Sequence, residues 1–140
     1  MPTAHEARVV NLALDVEAQA VYAYARQMRN LPAWASGLAG GIEEVNGAWF
    51  TDSPMGRVQV EMAPPNDFGV LDHEVTLPDG TRVHNALRVT PCGPGSLLSF
   101  VVLRLPGVAQ ETFDADVDHV RRDLGALKKL LEGVKPALAS

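Results

Sequence analysis

The feature that most constrains the fold is a long apolar stripe near the end of the sequence. Its members recur every three or four residues, which is the spacing of one helix face: Phe113, Val117, Val120, Leu124, Leu127, Leu131 and Val134. Acidic residues gather at the start of the stripe and lysines near its end, as a helix dipole favours. Gly133 and Pro136 mark its finish. The pattern predicts a helix of about 25 residues from near residue 110, about 37 Å long at 1.5 Å per residue, which can cross a whole sheet.

The segment from residue 39 to 105 has the pattern of strands and turns. Six strand-like stretches occur there: GIEEV, GAWFTD, GRVQVEM, GVLDHEVTL, TRVHNALRV and SLLSFVVLRL. Turn sequences such as SPMG, PDG and PCGPG separate them. The Asp79-Gly80 pair suits the positive φ angles of a tight hairpin turn, so the fourth and fifth stretches are expected to be neighbours. The order predicts an antiparallel meander.

A strand and two helices are expected before this sheet. Residues 9–14 alternate as a first strand, and Asp15 is a candidate N-cap for an amphipathic helix that runs to about Met28. Asn30 and Pro32 then suggest a short second helix that carries Trp34.

Alternation along the strands places two polar residues on the apolar, inward face. His73 shares its face with Leu71 and Val75, and Asn85 shares its face with Val83 and Leu87. The same rule turns a further set inward: Val58, Val60, Met62, Leu98, Phe100 and Val102. His73 and Asn85 therefore interrupt an otherwise apolar surface.

Length and composition exclude several classes of protein. The 140 residues are expected to form a single domain, 1–140, with a core from about 9 to 134. A net charge of -5 without a basic block argues against nucleic-acid binding. No stretch is long and apolar enough for a membrane span, and no leader peptide is apparent, so a cytoplasmic location is expected. The single cysteine, Cys92, excludes a disulfide framework.

No metal or cofactor is expected from the motifs. The acidic string at 114–118 matches the first ligands of an EF-hand loop, but His119 occupies the position of the required glycine and Gly125 that of the required glutamate. The histidines lack the HExxH spacing, and no phosphate-binding or dinucleotide motif is present.

Three stretches carry a resemblance to a known family: LPAWAS, FGVLDHEVTLPDGTRVHNALRVTP and DLGALKKLLE. With them the chain resembles the START/birch-pollen-allergen-like superfamily, also called SRPBCC, and within it small bacterial polyketide cyclase/dehydrase-type proteins. The resemblance implies an α+β helix-grip fold, in which a curved antiparallel sheet wraps around a long C-terminal helix, with two short helices after the first strand. It also implies an internal cavity. Leu97 and Leu98 stand where a charged residue is expected, which weakens any transfer of detailed function.

Within such a cavity, His73 has two interpretations. It is either an acid/base catalyst or a structural histidine that bonds a backbone carbonyl or the Asn85 amide. Asn85 either orients a ligand carbonyl or pairs with His73. Trp34 either offers a flat surface to a ligand or packs the short helix against the sheet. The expected ligand-contacting set is Trp34, Val60, Met62, His73, Asn85, Leu87 and Phe100.

Three functions remain open at this point. The first is a carrier or sensor that binds a hydrophobic or aromatic small molecule, such as a lipid or a polyketide-like compound. The second is a cyclase or dehydratase acting on a polyketide-like substrate, with His73 as its acid/base group. The third is a protein-interaction module. A dimer is compatible with the sequence, but nothing in the sequence requires one.

Overall fold

Seven strands and three α-helices make up the described part of the chain. The computed structural model describes residues 2–36, 40–54 and 56–134. The strands are β1 (Ala7–Leu14), β2 (Glu43–Val45), β3 (Ala48–Ser53), β4 (Gly56–Met62), β5 (His73–Thr76), β6 (Arg82–Cys92) and β7 (Gly95–Leu103). The helices are α1 (Ala18–Ala25), α2 (Leu31–Trp34) and α3 (Gln110–Val134), with a 3₁₀ turn at Met28–Asn30. Within these residues, no helix combines the length and apolarity that a membrane crossing needs.

The helices near the start differ from their predicted bounds. Helix α1 begins after Glu17, whose carbonyl accepts hydrogen bonds from Ala20 N and Val21 N, both at 3.1 Å. The prediction of Asp15 as its N-cap was wrong, because the Asp15 backbone N–H donates to Glu132 Oε2 at 2.9 Å and helix α1 starts later. Asn30 does precede α2, but its side chain donates to the Tyr24 carbonyl instead of capping the helix.

All strands pair antiparallel, in the order β1-β7-β6-β5-β4-β3-β2. The predicted hairpin joins β5 to β6 through a tight turn, in which Leu77 N donates to Thr81 O at 2.8 Å. Gly80 at that turn has φ +89°, a conformation that costs little only for glycine. His73 lies directly opposite Asn85 in the register of the two strands.

Strand β6 is paired on one side at its start and on both sides farther along. Residues 82–85 pair with β5, and on the same side Leu87 and Val89 bond Leu71 and Gly69. On the other side, residues 86–92 pair with β7. The ladder between β6 and β7 stops at the pair Ala86 and Val101, and the end of β7 continues beside β1 instead. The sheet therefore splits between the start of β6 and the end of β7.

The core lies between the inner face of the curved sheet and helix α3. Helix α3 buries Phe113, Val117, Leu124 and Leu127 of its predicted stripe, while Val120 is partly buried. The sheet side of the core contributes Val10, Leu14, Leu71, Leu87, Val89, Leu98 and Val102. The predicted α+β helix-grip architecture is confirmed: a seven-stranded antiparallel sheet wraps around a 25-residue C-terminal helix.

Candidate ligand-binding cavity

A cavity of about 220 Å³ lies between the inner face of the sheet and the helices. Its sheet wall consists of Val58, Val60, His73, Val75, Asn85 and Phe100. Its helix wall consists of Leu31, Trp34 and Ala35 around α2, with His119, Val120, Asp123 and Leu124 of α3. Most of these side chains are apolar. The polar groups among them decide what the cavity can recognise.

His73 is held in one tautomer by the backbone. Its Nδ1 lies 3.0 Å from the carbonyl oxygen of Leu71. A carbonyl oxygen only accepts hydrogen bonds, so Nδ1 carries the proton and Nε2 of the neutral ring keeps its lone pair. Burial lowers the pKa of His73 below 6.5, against the raising effects of the Leu71 hydrogen bond and the Asp72 charge. Near neutral pH the ring is therefore uncharged, with Nε2 as an acceptor.

Asn85 is the cross-strand neighbour of His73 but not its hydrogen-bond partner. The two residues face each other in the register of β5 and β6, and both line the cavity. His73 bonds Leu71 instead, and no hydrogen bond to the Asn85 amide is formed by the residues in the described ranges. The edge of the His73 ring faces Phe100, with 6.1 Å between ring centroids. Both polar side chains thus keep hydrogen-bonding atoms unused.

Trp34 contributes its ring to the helix wall, but its Nε1 is covered by protein atoms and is not open to the cavity. The side chain is 6% exposed, and its Nε1 has no hydrogen-bond partner in the part of the chain that the structure describes. A buried donor without a partner costs roughly 1 to 3 kcal/mol. Among the described residues, Glu74 Oε1 and the Ser96 hydroxyl are also buried without a hydrogen bond, but neither residue lines this cavity.

Three residues close the helix wall in a way that the sequence analysis missed. Ser36 Oγ donates to Asp123 Oδ1 at 2.8 Å, and Asp123 Oδ2 lies 3.2 Å from His119 Nε2. The same Nε2 also lies 3.3 Å from Ser36 Oγ. In a catalytic triad the serine bonds one imidazole nitrogen and the carboxylate bonds the other. Here Ser36 and Asp123 both lie near Nε2, so the three residues lack the triad arrangement. Their contacts instead join the end of α2 to α3. The i, i+4 spacing of His119 and Asp123 was the available signal in the sequence.

A second cavity of about 250 Å³ adjoins the first at the split in the sheet. The two cavities share Asn85, Phe100, His119 and Val120. The remaining walls come from the start of β6, the end of β7 and the loop before α3: Val83, His84, Val102, Leu103, Leu105, Val108 and Asp116. The second cavity thus lies where the β6–β7 ladder ends, beside the first cavity.

Five of the seven residues expected to contact a ligand line the first cavity, between the sheet and the helices: Trp34, Val60, His73, Asn85 and Phe100. The other two do not. Leu87 is 1% exposed and packs in the core, and Met62 lines a separate pocket beside Glu61 and Glu74. Alternation assigned both to the inner face. It does not distinguish an inward residue that meets another side chain from one that meets open space.

The opposite face of the same hairpin carries a cluster of paired charges, which we call the outer-face cluster: Asp72, Glu74, Arg82, His84 and Arg88. Asp72 accepts hydrogen bonds from Leu87 N at 3.0 Å, from Arg88 Nε at 3.1 Å and from Arg88 Nη2 at 2.8 Å. His84 Nε2 lies 3.3 Å from the same carboxylate, and Arg82 pairs with Glu74 at 2.6 Å. The Arg88 hydrogen bonds lower the pKa of Asp72 below 3.8.

Across residues 2–36, 40–54 and 56–134, no group of three or more His, Cys, Asp or Glu side chains is arranged to hold a metal ion.

Comparison with solved structures places the chain among START-type folds. Protein XoxI from Bacillus cereus is 12% identical, with a TM-score of 0.72 over 95% of this chain and 99% of that chain. A START superfamily protein from Mycobacterium smegmatis is 14% identical, with a TM-score of 0.62 over 89% and 98%. DynU16, from the dynemicin biosynthetic locus, is 14% identical, with a TM-score of 0.68 over 94% of this chain and 48% of that chain.

These likenesses establish the fold, which agrees with the resemblance drawn from the sequence. No family model matches the chain. The search of curated proteins also finds no match.

Proposed function

We propose that this protein binds a hydrophobic or aromatic small molecule in the cavity between the sheet and α3, as a carrier or sensor. The observation that carries the proposal is the combination of apolar walls with two polar groups that no described residue bonds: His73 Nε2 and the Asn85 amide. An apolar cavity with a few convergent polar groups is the usual form of a small-molecule site. The START-type fold, with its cavity under a curved sheet, supports the same reading.

The size of the cavity favours a compact ligand. A volume of about 220 Å³ is below the range of roughly 300 to 1,000 Å³ that is usual for drug-sized ligands. A molecule of one or two rings suits this space better than a long acyl chain. The adjoining cavity at the sheet split gives room for a substituent.

A cavity-filling variant tests the proposal. Val75→Phe places a larger side chain in the sheet wall and is expected to abolish the binding of 2-naphthol, measured by isothermal titration calorimetry. Val45→Phe makes the same change at an exposed position of β2 and is expected to leave binding unchanged. Native mass spectrometry of the freshly purified protein adds a search for a co-purified molecule. The proposal fails if no compact aromatic compound binds, or if Val75→Phe binds as well as the wild type.

A cyclase or dehydratase activity is the second candidate, and the fixed tautomer of His73 favours it. With Nδ1 bound to the Leu71 carbonyl, Nε2 can accept a proton from a carbon next to a ligand carbonyl. The Asn85 amide can donate a hydrogen bond to that carbonyl oxygen as it becomes an enolate. Attack of the enolate carbon on a second carbonyl closes a ring. The imidazolium returns its proton to the alkoxide that this attack leaves, which becomes a hydroxyl group. Nε2 then removes a second proton from the same carbon, and this proton departs with the hydroxyl group as water while a carbon–carbon double bond forms.

The two functions differ in what happens to the bound molecule. For an enzyme, His73→Gln is expected to lose conversion of a model polyketide by at least about 100-fold, since a positioned acid/base group contributes that much or more. Product formation is followed by mass spectrometry. For a carrier, the bound molecule is recovered unchanged from wild type and variant alike. Conversion that His73→Gln leaves intact would exclude His73 as the acid/base group.

A further inference from the structure

We propose that the site takes a compact aromatic amine, with its ring between the sheet and α3 and its protonated nitrogen beside Asp116. This inference rests on the proposed binding function and deepens it by naming the class of ligand. Three features of the two adjoining cavities support it: the helix face that they share, the charges of the residues that line them, and the engagement of their imidazole N–H groups by carboxylates.

One face of helix α3 runs past both cavities. Val120, Asp123 and Leu124 line the first cavity, and Asp116, His119 and Val120 line the second. Their spacing of three or four residues places them on the same side of the helix. At 1.5 Å per residue, Asp116 lies about 6 Å along the helix axis from Val120, which both cavities share. A two-carbon arm that ends in an ammonium group covers a comparable length, so a ring in the first cavity can place its nitrogen near Asp116.

The charges that line the two cavities favour a cation. Two carboxylates, Asp116 and Asp123, are present, and no Lys or Arg occurs among the described residues that line either cavity. Asp123 is engaged by Ser36 and His119. Asp116 is exposed and forms no hydrogen bond or ion pair with the residues that the structure describes. A carboxylate without a partner attracts a positive group and repels a negative one.

The neighbouring aspartates of α3 differ from Asp116 because arginines already pair with them. Asp114 lies 3.3 Å from Arg8, and Asp118 lies 3.0 Å from Arg121. Neither of these aspartates lines the two cavities. Of the three aspartates at 114–118, Asp116 is therefore the one whose charge a ligand in the second cavity is left to neutralise.

The imidazole N–H groups at the second cavity are already directed to carboxylates. His119 Nε2 lies 3.2 Å from Asp123 Oδ2, and His84 Nε2 lies 3.3 Å from Asp72 Oδ2. A carboxylate only accepts hydrogen bonds, so it takes up the single N–H of each neutral ring. An anionic ligand head would find donors at the Asn85 amide but no free imidazole N–H, whereas an ammonium group brings three donors of its own. The lining therefore suits an amine better than a fatty-acid carboxylate.

Three naphthalene probes of matched length test the proposal on the wild-type protein by isothermal titration calorimetry near neutral pH. 2-(2-Naphthyl)ethylamine is a cation, 2-(2-naphthyl)ethanol is neutral, and 2-naphthylacetate is an anion. We expect the amine to bind about two- to fivefold tighter than the alcohol, and the acetate to bind more weakly than the alcohol. The preference for the amine should shrink in 1 M salt, because Asp116 is exposed.

The variant Asp116→Asn assigns the contact to this carboxylate. It removes the charge and keeps the size of the side chain, so the amine and the alcohol are expected to bind it about equally, while the affinity for the alcohol stays at the wild-type value. Asp118→Asn is the matched control. It removes the same charge from an exposed residue on the same helix that lines neither cavity, and it should keep the preference for the amine.

Binding of the alcohol without a preference for the amine would overturn the amine proposal and leave the proposed function standing. A preference that persists in Asp116→Asn would place the nitrogen elsewhere and overturn it as well. If none of the three probes binds, the proposed function also fails. If Asp116→Asn does not fold, as judged by circular dichroism, the ranking of the probes on the wild type and its salt dependence decide the proposal.

Discussion

The two faces of the β5–β6 hairpin differ in how their polar groups are paired. On the outer face, Asp72 receives hydrogen bonds from the Leu87 backbone and twice from Arg88. On the inner face, His73 uses one ring nitrogen and Asn85 forms no side-chain hydrogen bond with described residues. The outer face of this hairpin therefore carries a carboxylate held by several hydrogen bonds, whereas the inner face carries polar atoms that the described residues do not bond.

This difference separates polar groups with a structural role from the two polar groups that the proposed ligand would contact. The hydrogen bonds of Asp72 offset the cost of taking its carboxylate out of water. His73 Nε2 and the Asn85 amide are bonded by no residue in the described ranges, and under the proposed function a ligand supplies their partners.

The largest expected effect is the loss of the central outer carboxylate. Asp72→Ala removes the acceptor of three hydrogen bonds and leaves Leu87 N–H buried without a partner. We expect the free energy of unfolding to fall by about 2 to 3 kcal/mol, measured by urea denaturation. Asp118→Ala, which breaks an exposed pair with Arg121, is the control and is expected to cost less than about 1 kcal/mol. Equal costs for the two variants would contradict a structural role for Asp72.

On the inner face, we expect a substitution to raise the free energy of unfolding instead of lowering it. Asn85→Leu replaces an unpaired amide with an apolar side chain of similar size, and we expect stability to rise by about 1 kcal/mol while affinity for hydroxyl-bearing ligands falls. Thermal unfolding and calorimetric titration measure the two effects.

Asn66→Leu is the matched control for this reversal. Asn66 Oδ1 accepts hydrogen bonds from Phe68 N and Val70 N, both at 3.0 Å, so the same change should destabilise the protein there. A loss of stability in Asn85→Leu comparable to that in Asn66→Leu would mean that the Asn85 amide is already satisfied.

The two faces should also respond to acid in different pH windows. The pKa of His73 is lowered from 6.5, so below pH 6.5 the unfolded chain binds the proton more readily than the folded chain. The unfolding free energy of the wild type, relative to His73→Phe, is therefore expected to decrease as the pH falls below 6.5, by no more than about 1.4 kcal/mol per pH unit.

The stabilisation that Asp72 provides should be unchanged as the pH falls from 6.5 towards 3.8. Its pKa is lowered from 3.8, so its stabilisation is present above pH 3.8 and is lost as the pH falls further. Denaturant titrations of wild type, His73→Phe and Asp72→Ala at successive pH values measure both windows. If the unfolding free energies of the wild type and His73→Phe changed in parallel down to pH 5, this result would contradict the lowered pKa of His73.

The smallest expected effect concerns the rim of the outer-face cluster. Arg82 pairs with Glu74, but the Arg82 side chain is 63% exposed. Arg82→Gln is expected to change stability by less than about 1 kcal/mol, and the change should shrink further in 1 M salt. If Arg82→Gln lowered the free energy of unfolding as much as Asp72→Ala does, and if 1 M salt left that loss unchanged, Arg82 and not Asp72 would be the main stabilising residue of the cluster.

Local patterns predicted the architecture because they report on local geometry. The stripe from Phe113 to Leu127 follows the helical period, and it forms the buried side of α3. The alternation that turned His73 and Asn85 inward follows the pleat of a strand, and both residues line the cavity. The Asp79-Gly80 turn fixed the pairing of their strands, which is why their juxtaposition could be predicted.

The shape of the cavity could not be predicted in the same way. Empty space is what remains after every element has packed, so no single strand shows that Leu87 meets the core while Asn85 meets a void. The contribution of His119 and Asp123 depends on where α2 ends against α3, at a separation of more than 80 residues. Whether the Trp34 N–H has a partner is likewise decided by distant residues.

The early end of the β6–β7 ladder has a mechanical consequence. Beyond the pair Ala86 and Val101, the start of β6 is bonded to β5 and the end of β7 is bonded to β1, so the ladder supplies no hydrogen bond between these two segments. Farther along β6 the sheet is continuous, because Leu87 and Val89 bond Leu71 and Gly69 on one side while residues 86–92 pair with β7 on the other. Cross-strand bonding is therefore interrupted at the place where the second cavity lies.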